Sequence, residues 1–388
     1  MAGFSFGGMR RLCTHLFTIF DCLYLREMRD FSIHEGGLLM NIFLRLLITL
    51  IWSSLVCDPA PAQELRIKLA HSAAPNSVMA LCAEQFASAV KKSQIDVQLY
   101  GAGSLVPFNQ LLASVASAQI EMALMPLTSA NASPEFGIFE LPFLIQDRGH
   151  VRRIRSELVS KFLAPAAQTK GVRILAMWED GFRDITTSSK PIKSPGDLKG
   201  LKLRVLPTPW MQTAFSNLGA TLVMTSFAEV PGALQRGIID GQESPLAAIE
   251  FLKLYEVQKY LSLTRHTYTP AFLIVSRSFF ERLSQPQQAT LTEQAAGIQD
   301  HCLDLGSDKE ISVVENLKTK MDINFVNLQP FRAASEDIYA NFAKSTPSGR
   351  SLIELVKLST YGTGGGGDPC PLGQCRCSNN TCSKDCCK

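Results

Sequence analysis

Arg183 and Arg204 are the side chains whose type and spacing most clearly allow chemistry. They lie in one stretch, GFRDITTSSKPIKSPGDLKGLKLRV, which runs from Gly181 to Val205. Each arginine is predicted where a strand meets a turn, so that its planar, permanently charged guanidinium points into a cleft. Such a group pairs with a carboxylate through two parallel hydrogen bonds. The stretch therefore predicts a site that captures an organic anion.

The elements that must position these arginines alternate between strands and helices. Alternating apolar residues predict strands near 65–69, 95–99, 120–125, 172–177, 201–205, 220–224 and 323–326. Helical periodicity and capping residues predict helices after Asn76 or Ser77 and around 111–115, 210–218, 231–237 and 285–320. This order predicts an α/β fold with helices packed on a largely parallel sheet. Arg204 ends a predicted strand, which is where ligands of open α/β sheets bind.

The composition describes a globular chain and excludes several function classes. With 388 residues, the chain is long enough for two domains of the usual ~100–200 residues. Hydrophobic residues make up 46% of it and charged residues 19%, so it can bury a sizeable core. The net charge of +3 is too small to argue for nucleic acid, and no basic block is interleaved with aromatics. Attraction to anions must therefore be local.

Residues 40–62, MNIFLRLLITLIWSSLVCDPAPA, have the pattern of a secretory signal peptide. Arg45 is followed by an apolar run over 46–56 and by small residues at 60 and 62. The run is too short to span a bilayer, and the ending suits signal peptidase. We predict export and a mature start near Gln63. Val56 argues against lipid attachment at Cys57, and residues 1–39 fit neither the signal nor a domain, which favours a start at Met40.

The eleven cysteines are spread unevenly. Cys82 and Cys302 fall in predicted helices, and six others crowd into the tail at 370, 375, 377, 382, 386 and 387. The body is thus not predicted to be a disulfide scaffold. Residues 361–388 are interpreted as a glycine linker followed by a cysteine-rich tail. The tail can form disulfides, bind a soft metal as thiolates or be an appended tag, and no part in the main function is assigned to it.

Four stretches in the body carry a family resemblance. They are PEFGIFELPFL at 134–144, GFRDITTS with KSPGDLKGLKLRV, FAEVPGALQRGIIDGQESPLAAIE at 227–250 and YEVQKYLSLTRH at 255–266. Each stretch is weak alone, but their order and spacing are specific. From Leu65 to Thr360 the chain resembles the solute-binding subunits of tripartite ATP-independent periplasmic (TRAP) transporters, the dicarboxylate-binding type.

The resemblance implies a two-lobed periplasmic binding protein. Its α/β fold would be a clamp of the Venus-flytrap kind, with hinge strands and a long helix that spans both lobes. Lobe I would comprise residues 64–181 and 270–309, and lobe II residues 182–269 and 310–360. The resemblance also implies that the protein works in the periplasm and closes over its ligand by hinge motion.

The same resemblance assigns residues to the ligand site. Arg204 would form a salt bridge with the ligand carboxylate, and Arg183 would supply further contacts. The family motif Asp-Gly-Gln-Glu-Asn ends here in Ser244, so a hydroxyl replaces the amide that hydrogen-bonds the same carboxylate. Glu243, which precedes it, is expected to orient an arginine at the site.

Three aromatic residues near the arginines in sequence are candidate walls of the site. Phe227 matches a family position that lines the cleft, whereas core packing is the favoured alternative for Trp178 and an open one for Trp210. Aromatic walls would keep the pocket dry and strengthen the ion pair. Some sugar-acid binders of the family have an acidic residue near the positions of Pro126 and Leu127, and its absence here disfavours that class of ligand.

The sequence contains no pattern for catalysis, a cofactor or a metal. His71, His150, His266 and His301 show no metal-ligand spacing. The nucleophile-elbow, zinc-protease, phosphate-loop and dinucleotide motifs are missing. The chain is therefore predicted not to be an enzyme and to use no cofactor.

The first hypothesis for function is a periplasmic receptor for a small carboxylate, in first place a C4-dicarboxylate such as malate, succinate or fumarate. The resemblance implies that it delivers its cargo to the small and large integral-membrane subunits of a TRAP permease, and we expect it to act as a monomer. One alternative is a receptor for a sugar acid or another monocarboxylate. The others are a ligand sensor that signals to a membrane kinase and an enzyme built on the same bilobed fold.

Overall fold

A computed structural model describes residues 64–359 and two short tail strands, Cys375–Arg376 and Cys382–Ser383. Three predictions lie outside the described residues. They are the extension over 1–39, the signal peptide over 40–62 with Cys57, and, apart from the backbone of the two tail strands, the linker and tail over 361–388.

The described body alternates strands and helices from its start. The strands are β1 Leu65–His71, β2 Ile95–Tyr100, β3 Met122–Met125, β4 Val172–Thr187, β5 Lys202–Arg204, β6 Thr221–Leu222, β7 Gly241–Pro245, β8 Tyr260–Ser276 and β9 Asp322–Phe325. The α-helices are α1 Val78–Lys91, α2 Phe108–Ala116, α3 Arg148–Leu158, α4 Ala164–Gln168, α5 Pro209–Asn217, α6 Val230–Gln235, α7 Leu246–Phe251, α8 Arg277–Arg282, α9 Gln285–Gly297, α10 Gln299–Leu317, α11 Gln329–Ala333, α12 Glu336–Ser345 and α13 Gly349–Leu358. Short 3₁₀ helices cover Pro134–Glu140, Pro195–Leu198, Phe227–Glu229 and Leu254–Glu256, and a π-helical turn covers Val159–Leu163.

The strands of the body form one mixed sheet in the order β2-β1-β3-β8-β4-β7-β5-β6, with β9 beside β8. At one end β1 runs parallel to both β2 and β3, and at the other β5 runs parallel to β6 and β7. The long central strands β4 and β8 are antiparallel to each other and extend through both ends. The predicted α/β class is confirmed, and helix α1 begins at the predicted cap, since Ser77 accepts a hydrogen bond from the Ala80 N–H.

Each end of the sheet has its own apolar core, and this gives the protein two lobes. In the first lobe, the neighbouring residues Phe272 and Leu273 of β8 point into separate clusters, because side chains alternate between the faces of a strand. In the second lobe, Leu261 and Leu203 belong to two further clusters. Strands β4 and β8 pass between the lobes and are the only strands of the described sheet that pair with neighbours in both.

The predicted long helix over 285–320 is two helices, α9 and α10, which meet at Ile298 after Gly297. Glycine weakens a helix interior and favours a break there. Helix α10 still spans both lobes, since Cys302 packs in a first-lobe cluster and Val314 in a second-lobe cluster. Within 64–359, no helix combines the length and apolar character needed to cross a membrane.

The assignment of residues 310–360 to the second lobe needs a correction. Phe342 of α12 and Val356 of α13 pack in a cluster of the first lobe. The imidazole Nε2 of His150 lies 2.9 Å from the Val356 carbonyl and ties α13 to α3. Only the start of the segment follows the prediction, since Phe331 of α11 packs in the second lobe. The apolar faces of α12 and α13 bring the chain back to the first lobe.

A disulfide joins Cys82 of α1 to Cys302 of α10 in the buried core of the first lobe. The sequence analysis placed both cysteines in helices but did not pair them. The two positions are 220 residues apart in the chain, and a cross-link over such a distance restricts the unfolded chain strongly. A disulfide is also typical of a protein that folds outside the cytosol.

Replacing both cysteines with alanine is expected to lower the free energy of unfolding by about 2–4 kcal/mol, because the unfolded chain regains its freedom. Urea unfolding followed by circular dichroism would measure the loss. A reductant should bring the wild-type protein close to the variant and leave the variant itself unchanged. Equal stability of the two oxidised proteins would contradict the prediction.

Candidate anion-binding site

Arg204 is the last residue of β5, as predicted, and lies opposite Gln242 of β7. Its side chain is 5% exposed, and its Nε donates a hydrogen bond of 3.4 Å to the carbonyl of Thr225. No carboxylate of the described residues lies within ion-pairing distance of it, and burial lowers its pKa, although the charge of Glu243 opposes the shift. Because arginine stays protonated in proteins, Arg204 is a buried cation without an ionic partner.

Arg183 lies within β4, not at a strand end as predicted. The strand continues to Thr187 because its second half pairs with β7 and β8. Glu243 engages two of the three nitrogen atoms of the Arg183 guanidinium. Its Nε forms an ion pair with Glu243 Oε2, and its Nη2 donates to Glu243 Oε1 at 3.1 Å and to the Glu243 carbonyl at 3.0 Å. Glu243 therefore orients Arg183.

The Glu243 carboxylate is buried and saturated with donors. In addition to its bonds with Arg183, it accepts a hydrogen bond of 2.6 Å from the Leu206 N–H, and its Oε2 lies 3.2 Å from His266 Nε2. Burial alone would raise the pKa of Glu243, but the Arg183 charge and the His266 hydrogen bond outweigh it and lower the pKa to about 2. An ionised carboxylate only accepts, so Nε2 carries the His266 proton and Nδ1 accepts from the Thr264 hydroxyl at 2.8 Å.

The ion pairs of this group leave one cation, Arg204, without a paired anion. Arg183 and Arg204 are cations, Glu243 is an anion, and burial lowers the pKa of His266, so its ring is neutral at neutral pH. Burial raises the pKa of the nearby Asp180 to about 6, and Asp180 forms no ion pair with either arginine. A buried charge without a partner costs several kcal/mol. A ligand carboxylate at Arg204 would remove that cost.

Ser244 and Phe227 lie close to the arginines along their strands and turns. The Ser244 hydroxyl is buried and has Gln242 Oε1 at 2.5 Å and the Glu243 carbonyl at 2.7 Å as acceptors. Phe227 begins a 3₁₀ helix two residues after Thr225, whose carbonyl binds Arg204, and it is 42% exposed. An exposed aromatic beside the site is able to move without loss of core packing.

Trp178 is a core residue, which corrects the expectation that it lines the ligand site. Its ring is completely buried against Phe86, and its indole N–H donates to the Ala295 carbonyl at 3.0 Å. No polar atom of Trp178 is left for a ligand. Trp210 packs edge-on against Phe342 with 5.4 Å between the ring centroids. Its ring therefore also contacts another side chain of the protein.

A small cavity lies between the segment that follows Arg204 and the first lobe. Leu206 and Met211 line it from the second lobe, and the first lobe and the central strand β8 supply the remaining wall, which comprises Pro126, Leu127, Thr128, Phe136, Phe139, Glu140, Thr267, Thr269 and Pro270. The carboxyl end of β3 therefore faces the carboxyl end of β5. This arrangement agrees with the general position of ligands in open α/β sheets.

A second ionic cluster on the central strands was not predicted. Arg148 of α3 binds both oxygens of Glu179 through Nε at 3.0 Å and binds Glu310 of α10 through Nη1 at 2.5 Å. Arg265 of β8 forms an ion pair with the other oxygen of Glu310. The partners lie 31 to 162 positions apart, and no local pattern in the sequence marks them as a set.

Asp184 lies on this side of β4 and is fully buried. Its Oδ1 accepts the Arg265 N–H at 2.9 Å, whereas its Oδ2 has no hydrogen-bond partner. Burial, reinforced by the Glu310 charge, raises the pKa of Asp184 from 3.8 to about 7. A carboxyl group whose pKa is raised by folding stabilises the folded protein at pH values below its pKa in the unfolded chain. This contribution is lost as the pH rises through its pKa in the folded protein.

The wild-type protein is expected to lose stability between about pH 4 and pH 7, as the buried Asp184 ionises. We therefore expect the Asp184→Asn variant to keep its stability over this range. At pH 8 the variant should melt at a higher temperature than the wild type, and at pH 4 the difference should vanish. Thermal unfolding over this pH range would measure it. A constant difference at every pH would show that Asp184 does not titrate in this window.

Among residues 64–359, no group of three or more His, Cys, Asp or Glu side chains is arranged to hold a metal ion. The two ionic clusters instead pair arginine with carboxylate. The chemistry available near Arg204 is recognition of an anion by a preorganised cation.

The chain is similar to several known proteins. A model of the family described as bacterial extracellular solute-binding protein, family 7, matches residues 69–346. The 2,3-diketo-L-gulonate-binding periplasmic protein YiaO of Escherichia coli is 31% identical over 68% of this chain and 82% of the relative. The C4-dicarboxylate-binding periplasmic protein DctP of Rhodobacter capsulatus is 26% identical over 78% of this chain and 93% of the relative.

A solved structure extends the match to the fold. The TRAP periplasmic solute-binding protein of Polaromonas sp. JS666, bound to D-erythronate, superimposes with a TM-score of 0.72 at 29% identity. It covers 77% of this chain and 100% of the solved one. With the two lobes, the shared strands and the family match in agreement, the chain belongs to family 7 of the bacterial extracellular solute-binding proteins.

Proposed function

We propose that this protein is a periplasmic receptor that captures a small organic acid by pairing the acid's carboxylate with Arg204. One observation carries the proposal, namely that the Arg204 guanidinium is buried and has no ionic partner among the described residues. Glu243 is saturated by other donors and has no capacity left for it. A ligand carboxylate would therefore form a charge-assisted bidentate pair with Arg204, which no described side chain of the protein provides.

A C4-dicarboxylate is the first candidate for the ligand, and a sugar acid is the second. The relative from Rhodobacter capsulatus carries the name of a C4-dicarboxylate-binding protein, which supports the first. The relative from Escherichia coli and the D-erythronate-bound structure support the second. Both ligand classes offer the carboxylate that Arg204 requires, and they differ in the groups at the far end of the molecule.

Capture is proposed to close the clamp about β4 and β8, after which the acid passes to the integral-membrane subunits of a TRAP permease. To move a hinge from 1:99 to 99:1 in favour of closure, a ligand must bind the closed form with ~5.5 kcal/mol more free energy. A desolvated ion pair at Arg204 with several weaker hydrogen bonds is sufficient for this. Export through the predicted signal peptide would bring the receptor to the periplasm.

Thermal unfolding of residues 63–359 with a panel of acids tests the proposal. Succinate, malate and fumarate represent the first ligand class, and D-erythronate, 2,3-diketo-L-gulonate and D-glucuronate the second. A ligand at 100 times its Kd should raise the stability by about 2.7 kcal/mol, and calorimetric titration would then give the affinity. A rise with sugar acids alone would reject the C4-dicarboxylate assignment, and no rise with any member would reject the small-acid receptor.

A further inference from the structure

The small cavity between the segment after Arg204 and the first lobe has a wall whose chemistry bears on the choice of ligand. Among the described residues that line it, none is a lysine, an arginine or a histidine. Its polar side chains are those of Glu140 and of three threonines, Thr128, Thr267 and Thr269, and the rest of the wall is apolar. A second carboxylate placed here would have no cation to pair with, and a buried charge without a partner is costly.

Two contacts join this cavity to the arginine site. Thr267 of β8 lies opposite Arg183 of β4 in the register of the two strands, and the Cβ atoms of opposite residues are typically only ~5 Å apart. Leu206, two residues after Arg204, lines the cavity and donates its N–H to Glu243 at 2.6 Å. An acid whose carboxylate binds Arg204 would therefore extend its far end into this cavity.

Two buried hydroxyl groups at the cavity have no hydrogen-bond partner among the described residues. One belongs to Thr267 in the wall. The other belongs to Thr208, which lies in the chain between the wall residues Leu206 and Met211. Each threonine is only 3% exposed, and a buried hydroxyl without a partner destabilises the protein. Since a hydroxyl group both donates and accepts, a ligand hydroxyl in the cavity is a suitable partner.

Glu140 is the acidic side chain of the cavity wall. It ends the 3₁₀ helix Pro134–Glu140 and is 4% exposed. Ser129 binds both of its oxygens, through its N–H at 2.7 Å and its hydroxyl at 2.9 Å. Each oxygen keeps a lone pair that can accept from a ligand hydroxyl, whereas a second carboxylate would be repelled. The sequence analysis disfavoured a sugar acid because positions 126 and 127 are not acidic, and Glu140 brings an acidic side chain to the same cavity.

We propose that this cavity binds the far end of the ligand and selects an acid with one carboxylate and a terminal hydroxyl group, as in a sugar acid, over a C4-dicarboxylate. Thr267 and Glu140 are the specificity-determining residues. The Thr267 hydroxyl donates to the ligand hydroxyl, which in turn donates to Glu140. The inference rests on the proposed function, in that Arg204 holds the carboxylate, and it decides between the two ligand classes named there.

Four acids with the same four-carbon chain test the selection. Succinate has a carboxylate at the far end, 4-hydroxybutyrate a hydroxyl group and butyrate a methyl group, and D-erythronate has hydroxyl groups on every carbon beyond the carboxylate. Calorimetric titration of the protein with each acid would give the affinities. We expect 4-hydroxybutyrate and D-erythronate to bind at least about tenfold more tightly than succinate and butyrate, because a site that hydrogen-bonds a hydroxyl group rejects analogues that lack it.

Three variants and a control assign the selection to the two residues. Thr267→Val removes the hydroxyl with little change of shape and should weaken 4-hydroxybutyrate about tenfold, with butyrate unchanged, whereas Thr267→Ser should retain the wild-type preference. Glu140→Gln keeps an acceptor for Ser129 without the charge and should tighten succinate at least about threefold. Thr319→Val should match the wild type, since the exposed Thr319 hydroxyl bonds only locally, to the Asn316 carbonyl.

The outcomes separate this inference from the proposed function. Succinate binding as tightly as 4-hydroxybutyrate and D-erythronate would overturn the inference and leave the small-acid receptor intact. An unchanged affinity of Thr267→Val for both hydroxy acids would also overturn it. No measurable binding of any of the four acids to the wild-type protein would reject the proposed function and the inference together.

Discussion

Replacing Arg204 with alanine is expected to weaken binding of the organic acid by more than about 100-fold, which corresponds to more than ~3 kcal/mol. The ligand carboxylate would enter a buried site without its counter-ion, and Arg183 can offer only Nη1 in its place because Glu243 already engages its Nε and Nη2. Calorimetric titration with the best acid of the panel would measure the loss.

The control for this change is Arg236→Ala, which removes an exposed arginine of the second lobe and should leave the affinity unchanged. Arg204→Met serves as a test of folding. Since it removes a buried charge without an ionic partner, the ligand-free variant should be at least as stable as the wild type. A folded Arg204→Met protein that binds the acid with nearly full affinity would place the anchor elsewhere and refute the proposed site.

Replacing Glu243 with glutamine is expected to lower the free energy of unfolding by about 3–5 kcal/mol, because the buried Arg183 guanidinium loses its counter-ion. The change also weakens the acceptor of His266 and of the Leu206 N–H. Urea unfolding at pH 7 would measure the loss. Glu281→Gln is the matched control, since its ion pair with Arg277 lies on the exposed surface, where such pairs contribute little to stability.

The pH dependence of the Glu243 effect has a fixed sign. Its folded pKa of about 2 lies below the ordinary 4.5, so its contribution is complete above pH 4.5 and is lost as the pH falls toward 2. The difference between wild type and Glu243→Gln should therefore shrink over that interval. A difference that persists unchanged at pH 2 would show that packing, and not charge, accounts for the loss. Asp184 acts in the opposite direction and at higher pH.

The sequence predicted the parts of the site that depend on local patterns. Alternating apolar residues located β5 and placed Arg204 at its end, as the structure shows. Arg183 was misplaced because β4 is extended by partners from distant parts of the chain, and the predicted strand stopped at Met177. Strand β4 has 16 residues and crosses between the lobes. The alternation of apolar and polar residues along such a strand is no clearer than along two short strands, so the sequence does not show that it is continuous.

The parts that the sequence did not reveal all depend on long-range pairs. Glu243 was expected to orient an arginine, and the fold shows that this arginine is Arg183, 60 positions away. Glu243 also meets His266 across 23 positions, and Cys82 meets Cys302 across 220. The order of the strands in the sheet decides which charged residues meet, and no local stretch of the sequence specifies that order. The cluster of Arg148, Arg265, Glu179 and Glu310 therefore became visible only with the fold.

The unpaired guanidinium of Arg204 has a practical consequence for preparation of the protein. Any small carboxylate that reaches it removes the cost of the buried charge, so cellular acids, acetate, formate and citrate are expected to co-purify and to compete in a titration. A retained acid at 100 times its Kd would add about 2.7 kcal/mol to the apparent stability. Protein that is unfolded, dialysed and refolded in a chloride buffer is the appropriate starting material.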